Sequence, residues 1–213
     1  AKEFINKTNN RKDMTTKKII TMLMGCMAAF TFVACNSDDE PARLTPAEIA
    51  QRYDVIKGVH DGMMVYALSG EGTSNYKTDT LDVKIDMYSD SAFVIKNIPP
   101  KAFTVNLPDG DLKTAMVNAQ PVDLKCVYGF MPSTQIQFLL NPSTMEYHLT
   151  YGDKPHKVRV AFYINNYSSY GLWDSRKNLM YMQMVVAGVF EDDSNTNKLS
   201  KNQVGLMFYT KKK

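Results

Sequence analysis

Cysteine is scarce in this 213-residue chain, with three residues at positions 26, 35 and 126. Catalytic signatures are missing: there is no His-Glu-x-x-His, no Gly-x-Ser-x-Gly, no P-loop and no dinucleotide fingerprint. Histidine is limited to His60, His148 and His156, and tryptophan to Trp173. The longest strongly apolar run, residues 19–33, spans fifteen residues, whereas a bilayer-crossing helix needs roughly twenty. These gaps argue against metalloprotease, hydrolase-elbow and nucleotide-binding chemistry, and against a permanent helical membrane anchor.

The short apolar run does have the flanks of an export signal. Lys17 and Lys18 precede it, and Ala34-Cys35 follows it, the positive, apolar and small-residue order of a secretory leader. Phe32-Val33-Ala34-Cys35 resembles the lipobox of bacterial lipoproteins, with Phe at the position where Leu is commonest. That resemblance implies cleavage before Cys35 and lipid on its sulfur. Met14 is the expected start, and residues 1–13 read as an upstream extension. The polar cluster Asn36-Ser37-Asp38-Asp39-Glu40 resembles the surface-export signal of Bacteroidetes lipoproteins. Residues 1–34 are thus expected to be removed, and residues 35–44 to form a lipidated acidic tether. A single β-rich domain is expected over residues 45–213.

Loss of the leader changes the charge balance. It takes away six basic and two acidic residues, leaving 19 basic and 20 acidic. The basic character therefore belongs to the leader, and nucleic acid is not an expected partner. The closing Lys211-Lys212-Lys213 reads as a solvated tail. With Cys26 gone and Cys35 lipidated, Cys126 is left without a disulfide partner. It shares one face of an alternating run with Val122, Leu124 and Tyr128 and is expected to pack as a small apolar side chain.

The exported part opens on helix-start chemistry. Thr45 as N-cap, Pro46 at the first helical position and Glu48 completing a capping box predict a helix ending near Tyr53. From Lys57 the apolar period becomes two. Leu81, Val83, Ile85 and Met87 alternate with polar neighbours, as in a strand with one buried face. Similar runs cover residues 58–68, 91–96, 122–130, 134–140, 145–151, 157–164, 178–190 and 203–209, making nine candidate strands. Residues 111–119 read as a short helix with an Asp N-cap. In 178–190 both faces are apolar, with Val185 and Val189 on one and Met180, Met182 and Met184 on the other.

The expected fold is therefore all-β and mainly antiparallel, with a short N-terminal helix and one short intervening helix. Barrel and two-sheet sandwich both accommodate the pattern. The stretch Ile56-Lys57-Gly58-Val59-His60-Asp61-Gly62 resembles the glycine-containing first strand of lipocalin-like barrels.

Candidate chemistry is sparse. A suitable hairpin register would bring His148 and His156 together beside Asp153, but the spacing supplies no complete ligand set. No metal and no cofactor are expected. The densest aromatic segment, residues 163–174, reads as a loop that leaves a strand. Its Tyr163, Tyr167, Tyr170 and Trp173 stand among Asn, Ser and Asp, combining apolar rings with hydrogen-bonding groups. These four residues are the candidate ligand-binding set, and packing over the end of a barrel is their competing use.

The leader, the acidic tether, the early Gly58 to Gly62 strand and the run Phe162-Tyr163-Ile164-Asn165-Asn166-Tyr167 together resemble a family of small Bacteroidetes lipoproteins to which no activity is assigned. The resemblance implies an outer-membrane, cell-surface location with the membrane as partner through Cys35. The expected function is non-enzymatic: a binding or accessory protein for a glycan, a lipid or a small apolar molecule, with a protein ligand also compatible. A structural or adhesive envelope component and a surface-polymer hydrolase are the alternatives. A filled interior favours the structural role, an open apolar cavity favours ligand carriage, and paired carboxylates in a cleft favour the hydrolase.

Overall fold

The structure is a computed structural model that describes residues 43–69, 77–165, 167–200 and 204–210. The expectations for the leader, for Cys35 with its tether up to residue 42, and for Lys211-Lys212-Lys213 lie outside the described residues. Helix α1, Pro46–Ile56, starts as its sequence dictates: the Thr45 hydroxyl accepts from the Glu48 amide at 3.3 Å, and the Glu48 carboxylate accepts from the Thr45 amide at 2.7 Å. It runs to Ile56 rather than stopping near Tyr53, because Ile56 is fully buried and rewards another turn. Helix α2, Asp111–Asn118, is capped by Gly110, which makes Asp111 its first residue instead of its cap.

Among the described residues there are ten strands. They are β1 (Gly58–Ser69), β2 (Lys77–Met87), β3 (Ala92–Ile98), β4 (Val122–Phe130) and β5 (Gln137–Pro142), then β6 (Met145–Tyr151), β7 (Lys154–Phe162), β8 (Tyr170–Asp174), β9 (Leu179–Glu191) and β10 (Val204–Thr210). All pairings are antiparallel, in the order β10-β1-β2-β3-β4-β5-β8-β9-β7-β6, and β10 also pairs with β9. Eight strands therefore close into a barrel. The sandwich alternative is resolved by the β1–β10 ladder, from Gly62 opposite Thr210 to Val65 opposite Met207.

Ten strands make only eight staves because two pairs are nearly continuous. β7 and β8 lie on the same side of β9, with Phe162 opposite Val186 and Tyr170 opposite Gln183. They form one stave interrupted by residues 163–169. β5 and β6 are likewise consecutive along their partners β8 and β7. The β6–β7 hairpin turns at Gly152 and Asp153, both at positive φ near +55° to +59°, and its Met145, Tyr147, Leu149, Val158 and Val160 join the core. A two-residue turn of this kind matches the twist of its strands. Helix α2 packs against β6, which pairs with β7 alone among the described strands, and its buried Met116 joins the core beside Tyr147 and Leu149.

The interior is filled with side chains. Met64, Ile85, Phe93, Leu124, Phe138, Met184 and Phe208, from seven of the eight staves, have no surface that a water molecule can reach. On the eighth, Gly171 makes way for Phe138, whose ring would stand 2.1 Å from any β-carbon added there. Tyr128 centres an aromatic group, with the rings of Phe138, Phe130 and Phe93 at 5.2, 5.3 and 5.8 Å. Cys126 belongs to this core, and burial pushes its thiol up to about 12, which removes it as a nucleophile at neutral pH.

Helix α1 is fastened by long-range bonds to the turn between β4 and β5 and to the end of β2. Arg52 donates to the carbonyls of Met131, Gln135 and Ser133, and the Tyr53 hydroxyl donates to the carbonyl of Met87. The guanidinium fork thus adds a charged donor to a turn whose Met131 and Gln135 carbonyls also accept from the Ser133 amide and hydroxyl.

The register sets a direct test. Leu124 faces the core and its neighbour Lys125 faces solvent. Leu124→Asp buries an unpaired carboxylate, at a cost of several kcal/mol, on the order of the whole stability of a domain. It is expected to abolish the cooperative thermal transition, while Lys125→Asp shifts the melting temperature by no more than a few degrees. Equal shifts would show the strand register to be wrong.

Candidate functional site

The outside of the barrel is two-sided. Over β2, β3, β4 and the start of β1 it carries charges, including the ion pairs Lys84–Asp61 at 2.7 Å and Lys96–Asp123 at 2.8 Å. Across β1, β10, β9, β8 and β5 the outward rows are largely apolar. One row runs Val65, Met207, Gln183, Tyr170, Leu139, and the next runs Met63, Tyr209, Tyr181, Leu172, Gln137. The segment 163–169 emerges from this second wall.

That segment is closed at its base by a serine. The Tyr163 amide donates to the Val185 carbonyl at 2.9 Å, as an uninterrupted strand would. The return bond is supplied by a side chain: the fully buried Ser169 hydroxyl accepts from the Val185 amide at 3.4 Å and donates to the Tyr163 carbonyl at 2.9 Å. The Ser169 carbonyl then accepts from the Leu140 amide, and the Ser168 carbonyl from the Gln183 side chain. Asn141 and Asn165 bind each other reciprocally at 2.8 and 2.7 Å, pinning the segment to β5. Asn165 is at positive φ, +54°, a conformation asparagine tolerates well.

The four sequence-predicted residues separate. Tyr167 is exposed and Tyr163 half-buried, together with exposed Ile164. Tyr170 is only 4% exposed and Trp173 packs partly buried against the core. These last two belong to β8, so the expected loop over 163–174 is a strand from Tyr170 onward. Val127, also exposed, lies opposite Asn141 on β4 and adds apolar surface beside the asparagine pair.

The histidines are arranged differently from the hairpin expectation. His148 pairs with Lys157 and is exposed, while His156 pairs with Leu149, so the two rings are on opposite faces. His60 instead meets the carbonyl of Ile56 at 2.8 Å, at the end of α1. His156 joins residues from the end of β9: its Nδ1 lies 3.1 Å from Asp192 Oδ2 and 3.6 Å from Glu191 Oε1. The three donor atoms lie within 4.8 Å of one another. The Tyr151 hydroxyl donates to Glu191 Oε1, and Lys198 Nζ holds Glu191 Oε2 at 2.6 Å. The Tyr151 and His156 rings stack, with centroids 3.9 Å apart.

The electrostatics of this cluster derive from those contacts. The Lys198 ammonium, then the Tyr151 hydroxyl, hold the Glu191 carboxyl below its ordinary range. The main-chain N–H of Lys157, then His156, do the same for Asp192. Burial and the bond to Glu191 push the Tyr151 phenol up. The separation of His156 from Glu191 by 35 positions hid the cluster from any reading of local spacing.

The Ser169 closure yields a stability test. Ser169→Ala removes a buried donor and acceptor and leaves the Val185 amide and Tyr163 carbonyl short of a partner, at a cost of roughly 1 to 3 kcal/mol. Ser169→Thr or Ser169→Cys are poorer probes because they add volume to a buried position. A melting temperature of Ser169→Ala equal to that of the parent would rule out this closure.

Residues 55–191, from the end of α1 through β9, match the family described as Domain of unknown function (DUF4840). No curated protein and no solved structure matches the chain. The match covers more than half of the 213 residues, and the chain belongs to the DUF4840 family.

Proposed function

We propose that this protein is a surface lipoprotein, held at the outer membrane by lipid on Cys35, that binds a glycan on the outside of its barrel without catalysing a reaction. The observation that carries this reading is the contrast between a filled interior and a decorated exterior. Side chains without any water-accessible surface line the staves, so a ligand of even a few atoms has no room inside without repacking. Contact is left to the outer wall.

There, Tyr167 and Ile164 offer apolar surface close in sequence to the Asn141–Asn165 carboxamide pair. An aromatic or aliphatic face accepts the C–H side of a sugar ring, while carboxamides direct its hydroxyls. Tyr163 adds a half-buried ring to that surface. Tyr170 and Trp173 anchor the strand that carries it, and β8 is clamped between β5 and β9. A surface carried on such a rigid base varies its contacts without dismantling the core.

The filled interior also supports a second reading, that of a structural envelope component in which the barrel is a stiff spacer. The two readings differ in one measurement. If the protein binds a glycan, the full chain is retained in affinity electrophoresis through gels containing bacterial surface polysaccharide or mucin. Retention by none of a panel of such polymers would favour the spacer.

The proposed site and anchor each set an outcome. Tyr167→Ala is expected to weaken glycan binding by roughly 1 to 4 kcal/mol, as removal of a contact ring does, with little change in melting temperature. Tyr170→Ala is expected to lower stability by roughly 1.5 to 3 kcal/mol through the loss of a ring that is only 4% exposed. Undiminished retention of folded Tyr167→Ala would move the site elsewhere. For the anchor, Cys35→Ala is expected to abolish incorporation of labelled fatty acid and to leave unprocessed precursor in the producing bacterium. Persistent label on that variant would overturn the lipoprotein assignment.

A further inference from the structure

We infer that His156, Glu191 and Asp192 form a site for a divalent transition-metal ion, with zinc the best-matched, that clamps the β6–β7 hairpin to the end of β9. The donor set is one imidazole and two carboxylates, which suits zinc better than calcium or magnesium, whose ions seek six or more oxygens.

The spacing of the donors supports the assignment. Four ligands placed tetrahedrally about 2.0 to 2.1 Å from zinc lie about 3.3 Å from one another. The Nδ1 of His156 stands 3.1 Å from Asp192 Oδ2 and 3.6 Å from Glu191 Oε1, on either side of that edge. The 3.1 Å contact is a hydrogen bond in the absence of an ion, which a metal would replace, and the third pair of donors, Asp192 Oδ2 and Glu191 Oε1, lies within 4.8 Å. Water completes a fourth position.

Each donor is also oriented by a neighbour, as ligands of metal sites are. Asp192 Oδ1 accepts the Lys157 amide at 3.0 Å, and the Asp192 amide donates to the Lys157 carbonyl at 2.7 Å, which leaves Oδ2 toward the imidazole. The Tyr151 ring fixes the plane of His156 by stacking, and its hydroxyl binds Glu191 Oε1. Lys198 occupies the other oxygen of Glu191. The two carboxylates and one ammonium sum to about −1, which a divalent ion converts to about +1. Lys198 thus tempers the affinity without blocking Oε1.

The test uses the full chain after dialysis against a chelator, titrated with zinc by calorimetry and followed by thermal melting. One saturable zinc per chain that raises the melting temperature is expected. His156→Gln and Asp192→Asn should each weaken binding tenfold or more, and Tyr151→Phe about tenfold, the effect of losing an orienting contact. His148→Gln should bind as the parent does. X-ray absorption should show only nitrogen and oxygen donors near 2.0 Å, separating this site from the cysteines of the chain. Circular dichroism of each variant confirms folding, and Asp192→Asn retains the oxygen that accepts from Lys157. Absence of saturable zinc, a sulfur-containing shell, or parent-like affinity in folded His156→Gln and Asp192→Asn would each overturn the assignment.

Discussion

The ladder between β1 and β10 is the constraint on which the other features rest. Four residue pairs, from Gly62 with Thr210 to Val65 with Met207, join the first strand to the last. Without them the sheet has two exposed edges and its inner face opens to water. With them each stave of the barrel has neighbours on both sides, and the apolar alternation of every strand converges on one interior. Gly62 illustrates the tightness of the seam, since an added β-carbon would meet the Tyr209 carbonyl oxygen at 2.9 Å. Closure joins residues about 145 positions apart, so it is an entropically costly contact to form.

Closure also explains why the long β7–β8 stave breaks. Here β9 must serve β10 along one edge and both β7 and β8 along the other. The extra residue in β9 falls at Ala187, skipped between Gly188 opposite Ala161 and Val186 opposite Phe162. Beyond that bulge the facing of the strand reverses: Val189, grouped with Val185 by simple alternation, lies inside with Val160 instead. A bulge increases local twist, and the departure of residues 163–169 lies next to it. The segment that carries the proposed binding surface therefore sits where the ladder is already perturbed, and Ser169 repairs the gap with its own hydroxyl.

Much of this architecture was legible in the sequence because it is local. The capping box of Thr45 and Glu48, the alternation in β2 and β4 and the Gly152-Asp153 turn each depend on residues within a few positions of one another. Barrel and sandwich were inseparable because they differ in which distant strands pair, and alternation is identical in both. The strand Tyr170–Asp174 was hidden by its composition: Gly171 and Asp174 read as loop residues until Phe138 is seen to fill the space beside Gly171. Of the candidate binding residues, the sequence located the aromatic segment but could not distribute its rings between core and surface. His156 was visible as a residue but not as a neighbour of Glu191 and Asp192, because that proximity comes from the pairing of β7 with β9.

A filled barrel has a further consequence for how such a protein evolves contacts. In an open-lumen barrel, specificity is set by inward side chains and is coupled to the packing of every stave. Here inward residues such as Phe138 and Met184 serve the core, and substituting them costs several kcal/mol whatever is gained elsewhere. Outward residues on β8, β9 and β10 and in the excursion at 163–169 carry less of that burden, apart from deeply covered ones such as Tyr170 and Val185. Substitution is consequently cheapest at Ile164, Tyr167 and Val127, where side chains are exposed, and Val127 and Ile164 adjoin the reciprocally bonded Asn141 and Asn165. The same reasoning separates the two faces of the hairpin: His148 can change freely on the outside, whereas His156 is fixed by Tyr151, Glu191 and Asp192 together.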